Sequence, residues 1–240
     1  IPAYEWAFGD VNPPVHAWGA LKVYRAERVQ RGLADRNFLQ RIFHKLLLNY
    51  AWWINRKDKE GHNVFEGGFL GLDNISVYDR SQPLPAGYSL KQADATGWMA
   101  MFALNMTVMA LELCTEDPEY EEMAIQCYLQ FMSIAEAIAG RGDVNSASLW
   151  DMEAGFFKDL LITPEGQSHY VDVYSWVGLI PLFATEVIDQ RLLDHAPRFS
   201  ELLHSSKGGL FHGSYICACP DWKNDRGEHL LALVDHSMLP

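Results

Sequence analysis

Residues 65–92, FEGGFLGLDNISVYDRSQPLPAGYSLKQ, set Glu66, Asp73, Asn74, Asp79, Arg80 and Gln92 among Phe65, Phe69, Tyr78 and Tyr88. Connections longer than about 12–15 residues without structure of their own are uncommon and usually functional. Carboxylates move protons, amides hold hydroxyls, and aromatic faces pack on the apolar C–H patches of sugar rings. Gly67, Gly68 and Gly71 allow the backbone to approach a ring closely. Other inter-helical stretches carry the same residue types. Residues 139–171 hold Trp150, Asp151, Glu153 and Asp159; the N-terminal segment holds Trp6, Asp10, Asn12 and His16; and 205–226 hold Tyr215, Asp221 and Trp222. The candidate substrate-binding residues are Trp6, Asn12, Phe69, Asn74, Gln92, Asp94, Trp98 and Trp150.

Several of these have a plainer reading. Asp94 directly precedes a helical run and reads as the N-cap of a helix over 95–113. Asp151 and Glu153 read equally as residues that order a hairpin, and Asp79 with Arg80 as a loop ion pair. Trp52 and Trp53 lie on an amphipathic helix and read as packing. The histidines are scattered with no metal-ligand spacing, so no metal or other cofactor is expected. Neither G-x-S-x-G, nor a Walker loop, nor a dinucleotide fingerprint occurs. What remains is hydrolysis through carboxylates.

The elements that must position these residues are helices. Residues 38–54 repeat apolar positions at helical spacing, with Arg41 and Lys45 on the other side. Residues 98–113, WMAMFALNMTVMALEL, are apolar nearly all round and predict a helix enclosed by protein. Residues 119–138 are amphipathic again, which places Glu121, Glu122, Gln126 and Gln130 on the outer surface. Residues 173–188 return to the enclosed type, with a kink at Pro181, and 191–204 are amphipathic. The first helix, over 14–30, starts with proline in an N1-like position. The 139–171 stretch alternates like a small β-hairpin, with Glu165-Gly166 at the bend.

Helices with one wet face lead into long loops, and enclosed helices lead into short turns. That alternation predicts an all-α fold, an α/α toroid whose long loops gather at one end, at the N-termini of the inner helices. A solenoid would need a fixed period of 20–50 residues; the enclosed helices begin near 14, 95 and 172, so no such period is present. Six helices and a stub near Glu228 make about half of an (α/α)6 ring. The reading is that residues 1–240 are part of a single catalytic domain, cut at both ends, which on its own leaves apolar faces on 14–30 and 191–204 uncovered and is aggregation-prone.

Composition narrows the partners. Lys and Arg total 19 against 31 Asp and Glu, a net charge of −12, which argues against nucleic acid and anionic membrane. The longest uncharged run, 97–111, is shorter than the roughly 20 residues of a membrane span. Cys114, Cys127, Cys217 and Cys219 do not form the pattern of a disulfide framework. No signal peptide is seen, so a cytoplasmic location is expected.

The run GGFLGLDNISVYDRS followed by LKQADATGWMAMFALNM, together with NPPVHAW, LWDMEAGFFKDLL and VGLIPLFATEV, resembles the bacterial α-glucosidase-like proteins of glycoside hydrolase family 63. The resemblance covers essentially the whole chain. It implies an (α/α)6 barrel that hydrolyses α-linked glucose or related sugars with inversion, with an oligosaccharide or small α-glycoside as substrate. The family's general acid, the aspartate of G-[LM]-D-[ND], falls on Asp73. Its general base is a glutamate that the resemblance places beyond Pro240, so this chain alone would be inactive. An inverting enzyme needs two carboxyl groups about 6.5–9.5 Å apart, one of them protonated near neutral pH. Phe69, Leu70, Leu72 and Asp79 are placed to raise the pKa of Asp73. A non-catalytic carbohydrate-binding toroid is the alternative, and a purely structural helical scaffold is the third.

Overall fold

The computed structural model describes residues 12–55, 84–139, 147–205 and 223–234. Helices dominate, and three small sheets join them. The first two helices, α1 (His16–Arg31) and α2 (Arg36–Ile54), form a hairpin. Gly32 closes α1 in the left-handed region at φ +76°, where its N–H donates to Arg28 O, and Asp35 caps α2 through the Phe38 N–H at 2.9 Å.

The third helix, α3 (Ala93–Cys114), is buried at every one of its 22 residues. Trp98, Met101, Phe102, Leu104 and Met109 lie in the core, as expected of an enclosed helix. Its length and composition would suffice to cross a bilayer, yet here protein surrounds it. Enclosure explains the composition: the backbone satisfies its own hydrogen bonds, and no face needs to meet water. The fourth helix, α4 (Tyr120–Ile138), packs along α3 and turns Gln126 to solvent.

Three long-range contacts give the helix directions. Arg28, late in α1, donates to both carboxylate oxygens of Glu112, late in α3, at 2.9 and 3.0 Å, so α1 and α3 are parallel. Arg36, at the start of α2, donates to Leu113 O at 2.9 Å, so α2 runs opposite to them. Gln40 in the first half of α2 donates to the hydroxyl of Tyr120, which opens α4, so α4 runs with α2. The N-terminal ends of α1 and α3 therefore share one end of the molecule with the C-terminal ends of α2 and α4. This is the alternation expected of a toroid. The stretches 56–92 and 139–171 both start from that end.

Those two stretches meet in a sheet. Strand β1 (Ser89–Lys91) pairs antiparallel with β4 (Leu160–Ile162), which pairs with β5 (Ser168–Tyr170). The expected hairpin is present, with Gly166 at φ +79° in its bend, and β1 is an addition to it. A second ladder, β2 (Trp150–Asp151) with β3 (Phe156–Phe157), precedes it. The chain is thus helix-dominated, with two of its three small sheets at the loop-bearing end.

Beyond β5 the structure departs from the sequence reading. Residues 173–188 do not form a kinked helix; they form a 3-10 helix, Trp176–Phe183, followed by strand β6 (Thr185–Ile188). Strand β6 pairs antiparallel with β7 (His229–Ala232). The amphipathic stretch 191–204 is also broken, at Ala196-Pro197, into α5 (Gln190–Asp194) and α6 (Pro197–Ser205). Glu121, expected on the outer surface, is buried. Its Oε1 accepts from the N–H groups of Arg198 and Phe199 at 2.6 and 3.0 Å, holding the first turn of α6 against α4.

Candidate functional site

Of the candidate residues within the described regions, Gln92, Asp94 and Trp98 lie at the N-terminal end of α3. Gln92, not Asp94, is the N-cap: its backbone is extended at φ −98° and ψ 127°, and its carbonyl accepts from the Thr96 N–H and hydroxyl. Asp94 lies in the first turn, fully buried, and its Oδ1 accepts from the Ala95 N–H at 2.8 Å. The aligned peptide dipoles of α3 favour a carboxylate at that position. Trp98 stands four residues on, over the same face of the helix as Asp94. Its ring centroid is 5.6 Å from that of Phe183.

Asp159, 66 residues further along the chain, also serves this helix end. Its Oδ1 accepts from the Ala93 N–H at 2.8 Å, and its carbonyl accepts from the Val171 N–H. The capping role could not be read from sequence, because it depends on β1 pairing with β4 to bring Asp159 beside Ala93. The 3-10 helix is pressed against the same two turns. A Cβ on Gly97 would lie 2.8 Å from the backbone of Pro181, and one on Gly178 would collide with the Phe156 ring and the Phe157 carbonyl.

Two polar atoms in this region are left without partners. Among the described residues, Gln92 Oε1 and Trp98 Nε1 are buried and make no hydrogen bond. An unsatisfied buried polar group costs about 1–3 kcal/mol, and such groups are few in native structures. One is an acceptor and the other can only donate, which is the complement a hydroxyl group offers.

Trp150 is half-buried in β2, its ring edge-on to Phe157 at 4.9 Å, with its carbonyl accepting from the Tyr170 hydroxyl at 3.1 Å. Asp151 orders the adjoining turn, accepting from the N–H groups of Glu153 and Ala154 and from Lys158 Nζ at 3.0 Å. The Lys158 hydrogen bond holds the Asp151 carboxyl below its ordinary pKa, and the Asp172 and Asp151 hydrogen bonds push the Lys158 ammonium up. Asn12 is exposed just ahead of α1, at the loop-bearing end. Asp73, Phe69, Asn74 and Trp6 lie outside the described residues. Trp53 is buried and Trp52 packs on the core. Cys114 and Cys127 are buried thiols, and burial raises Cys127 to about 12, so neither is a poised nucleophile. No group of three His, Cys, Asp or Glu side chains among the described residues could hold a metal ion.

No protein-family profile matches the sequence. An uncharacterised protein of Saccharomyces cerevisiae is 47% identical over 203 residues, a match that takes in 80% of this chain and 19% of the yeast protein. The chain therefore spans about a fifth of that relative's length. Two solved structures from Thermus thermophilus align with 82% of the chain, each at 19% identity. One is an uncharacterised conserved protein, with a TM-score of 0.47 over 54% of its length. The other is a GH63 mannosylglycerate hydrolase in complex with glucose, with a TM-score of 0.48 over 52% of its length.

Proposed function

We propose that the chain contributes the acid half of an inverting α-glycosidase, acting on an oligosaccharide or small α-glycoside. The structural observation that supports this reading is the pair of unpartnered buried atoms, Gln92 Oε1 and Trp98 Nε1, flanking the buried Asp94 carboxylate at the N-terminal end of α3. An amide acceptor, an indole donor and a carboxylate together suit the hydroxyls of a sugar ring. The glycine-rich stretch with the GLDN sequence leads directly into that helix end.

In this reading Asp73 donates a proton to the leaving glycosidic oxygen. A second carboxylate, supplied from outside these 240 residues, activates water on the opposite face of the ring. Trp6, Phe69 and Trp150 offer apolar faces, and Asn12, Asn74, Gln92 and Asp94 offer hydroxyl contacts. Residues 1–240 are then part of one catalytic domain.

The test is Asp73→Asn in the full-length protein. The change removes the proton donor while nearly preserving shape. Turnover of an α-linked disaccharide should fall about 10²–10⁴-fold, while a substrate with a fluoride or nitrophenolate leaving group should be largely spared. Disaccharide turnover within a few-fold of the parent protein would make the assignment wrong.

A further inference from the structure

The segment between β5 and the 3-10 helix alternates its side chains. Val171, Val173, Ser175 and Val177 turn inward and line a small cleft with Phe157, Lys158 and Asp159. Asp172, Tyr174 and Trp176 turn outward. Ser175, between the two aromatics, is extended at φ −147° and ψ 179°, so Tyr174 and Trp176 project to the same side. Tyr174 is 65% and Trp176 63% exposed.

Single apolar residues on a surface are normal; what distinguishes this strip is how firmly it is held. Lys158 is buried beneath it. Its Nζ donates to Asp172 at 2.7 Å and to Asp151 at 3.0 Å, and stands 4.9 Å from the centre of the Tyr174 ring. Phe156 supports the same ring at 5.2 Å. The Ser175 hydroxyl accepts from the Val177 N–H and starts the 3-10 helix at Trp176. A carboxylate and an aromatic face are thus fixed side by side in advance of any ligand, which lowers the cost of binding one. The strip is also joined to the site at α3. Asp159, next to Lys158, bonds the Ala93 N–H through its side chain and the Val171 N–H through its carbonyl.

We infer that Asp172, Tyr174 and Trp176 bind a further sugar unit of a neutral oligosaccharide whose reacting end lies at the N-terminal end of α3. The inference rests on the glycosidase reading for that reacting end, and narrows its substrate to an oligosaccharide rather than a small glycoside. Tyrosine and tryptophan each present an apolar face and a polar edge, which suits a ring whose C–H patches are bounded by hydroxyls. An apolar protein face would strip water from the Asp172 side chain, which is 78% exposed. Sugar hydroxyls replace that water with hydrogen bonds. The Asp151 and Asp172 carboxylates disfavour an acidic sugar.

The test is binding of linear α-linked glucose and mannose oligomers, from disaccharide to pentasaccharide, to the full-length protein carrying Asp73→Asn. Calorimetry should show affinity rising from disaccharide to tetrasaccharide. Trp176→Ala should weaken the tetrasaccharide about ten-fold without changing the melting temperature, Trp176→Phe should restore most of the loss, and Tyr174→Ala should cost less. In hydroxyl-radical footprinting Trp176 should be readily oxidised in the free protein and protected by the tetrasaccharide. No gain in affinity with length, or equal affinities with and without Trp176→Ala, would overturn the inference. So would a Trp176 already protected without sugar, which would assign the strip to the rest of the polypeptide. The two readings fail separately. Continued disaccharide turnover by the Asp73→Asn protein counts against the acid assignment and leaves the binding series standing, whereas an inactive Asp73→Asn protein with an indifferent Trp176→Ala sinks the strip alone.

Discussion

α3 and residues 176–188 run side by side in the same direction. Gly97 meets Pro181, Asn105 donates to Glu186 at 2.9 Å, and Glu112 accepts from Arg191 at 3.0 Å. Both segments are apolar and rich in core residues, and both read from sequence as enclosed helices. One is a 22-residue α-helix; the other is a 3-10 helix followed by a strand. Enclosure is thus written in hydrophobicity, but backbone period is not. α3 is built from Ala, Met and Leu, strong helix formers, and has helices on several sides. The other segment contains Gly178, Pro181 and the β-branched Val177, Ile180, Thr185, Val187 and Ile188, and β7 pairs with its last four residues.

The largest effect expected from breaking this comparison comes from the helix side. Phe102 is fully buried and lies edge-on to Tyr50 at 5.1 Å. Phe102→Ala should destabilise by about 3–5 kcal/mol, measured by urea unfolding of the full-length protein. A cost under about 1 kcal/mol would mean that α3 is not the packed centre.

Gly97→Ala acts at the seam between the two segments. Its added methyl would press on the Pro181 backbone, which cannot rotate away, so a loss of about 1–3 kcal/mol is expected. A neutral or stabilising change in the same urea titration, as for an ordinary helical glycine, would show that the seam is loosely packed.

Pro181→Ala has the smallest expected effect and separates two explanations. If proline alone kept 176–188 from becoming a helix, its removal would add helical signal in far-ultraviolet circular dichroism. The close approach of Gly178 to Phe156 and Phe157, and the β6–β7 ladder, should hold the segment as it is. The expected outcome is an unchanged spectrum with a loss of about 0.4–1 kcal/mol, the conformational entropy regained by the unfolded chain.

Composition and apolar spacing were enough to place α1, α2, α3 and α4, and the burial of α3, because each is a local signal repeated over many residues. The hairpin around Glu165-Gly166 was legible for the same reason, through turn chemistry and alternation. Gln92, Asp94 and Trp98 could be nominated as candidates because they follow a loop of unusual composition. Which of them caps the helix was decided elsewhere: Asp159 satisfies the Ala93 N–H, so Asp94 moves into the first turn and Gln92 takes the cap through its backbone, with its Oε1 unpartnered. Glu121 reads as a wet residue on an amphipathic helix, yet it is buried because two N–H groups of α6 need an acceptor. The failure at 176–188 has the same origin. A strand needs a partner, and β7 begins more than 40 residues after β6 starts, so no local pattern could announce it. The backbone form of 176–188, the cap of α3 and the burial of Glu121 arise from pairs far apart in the chain, and only the folded structure brings them together.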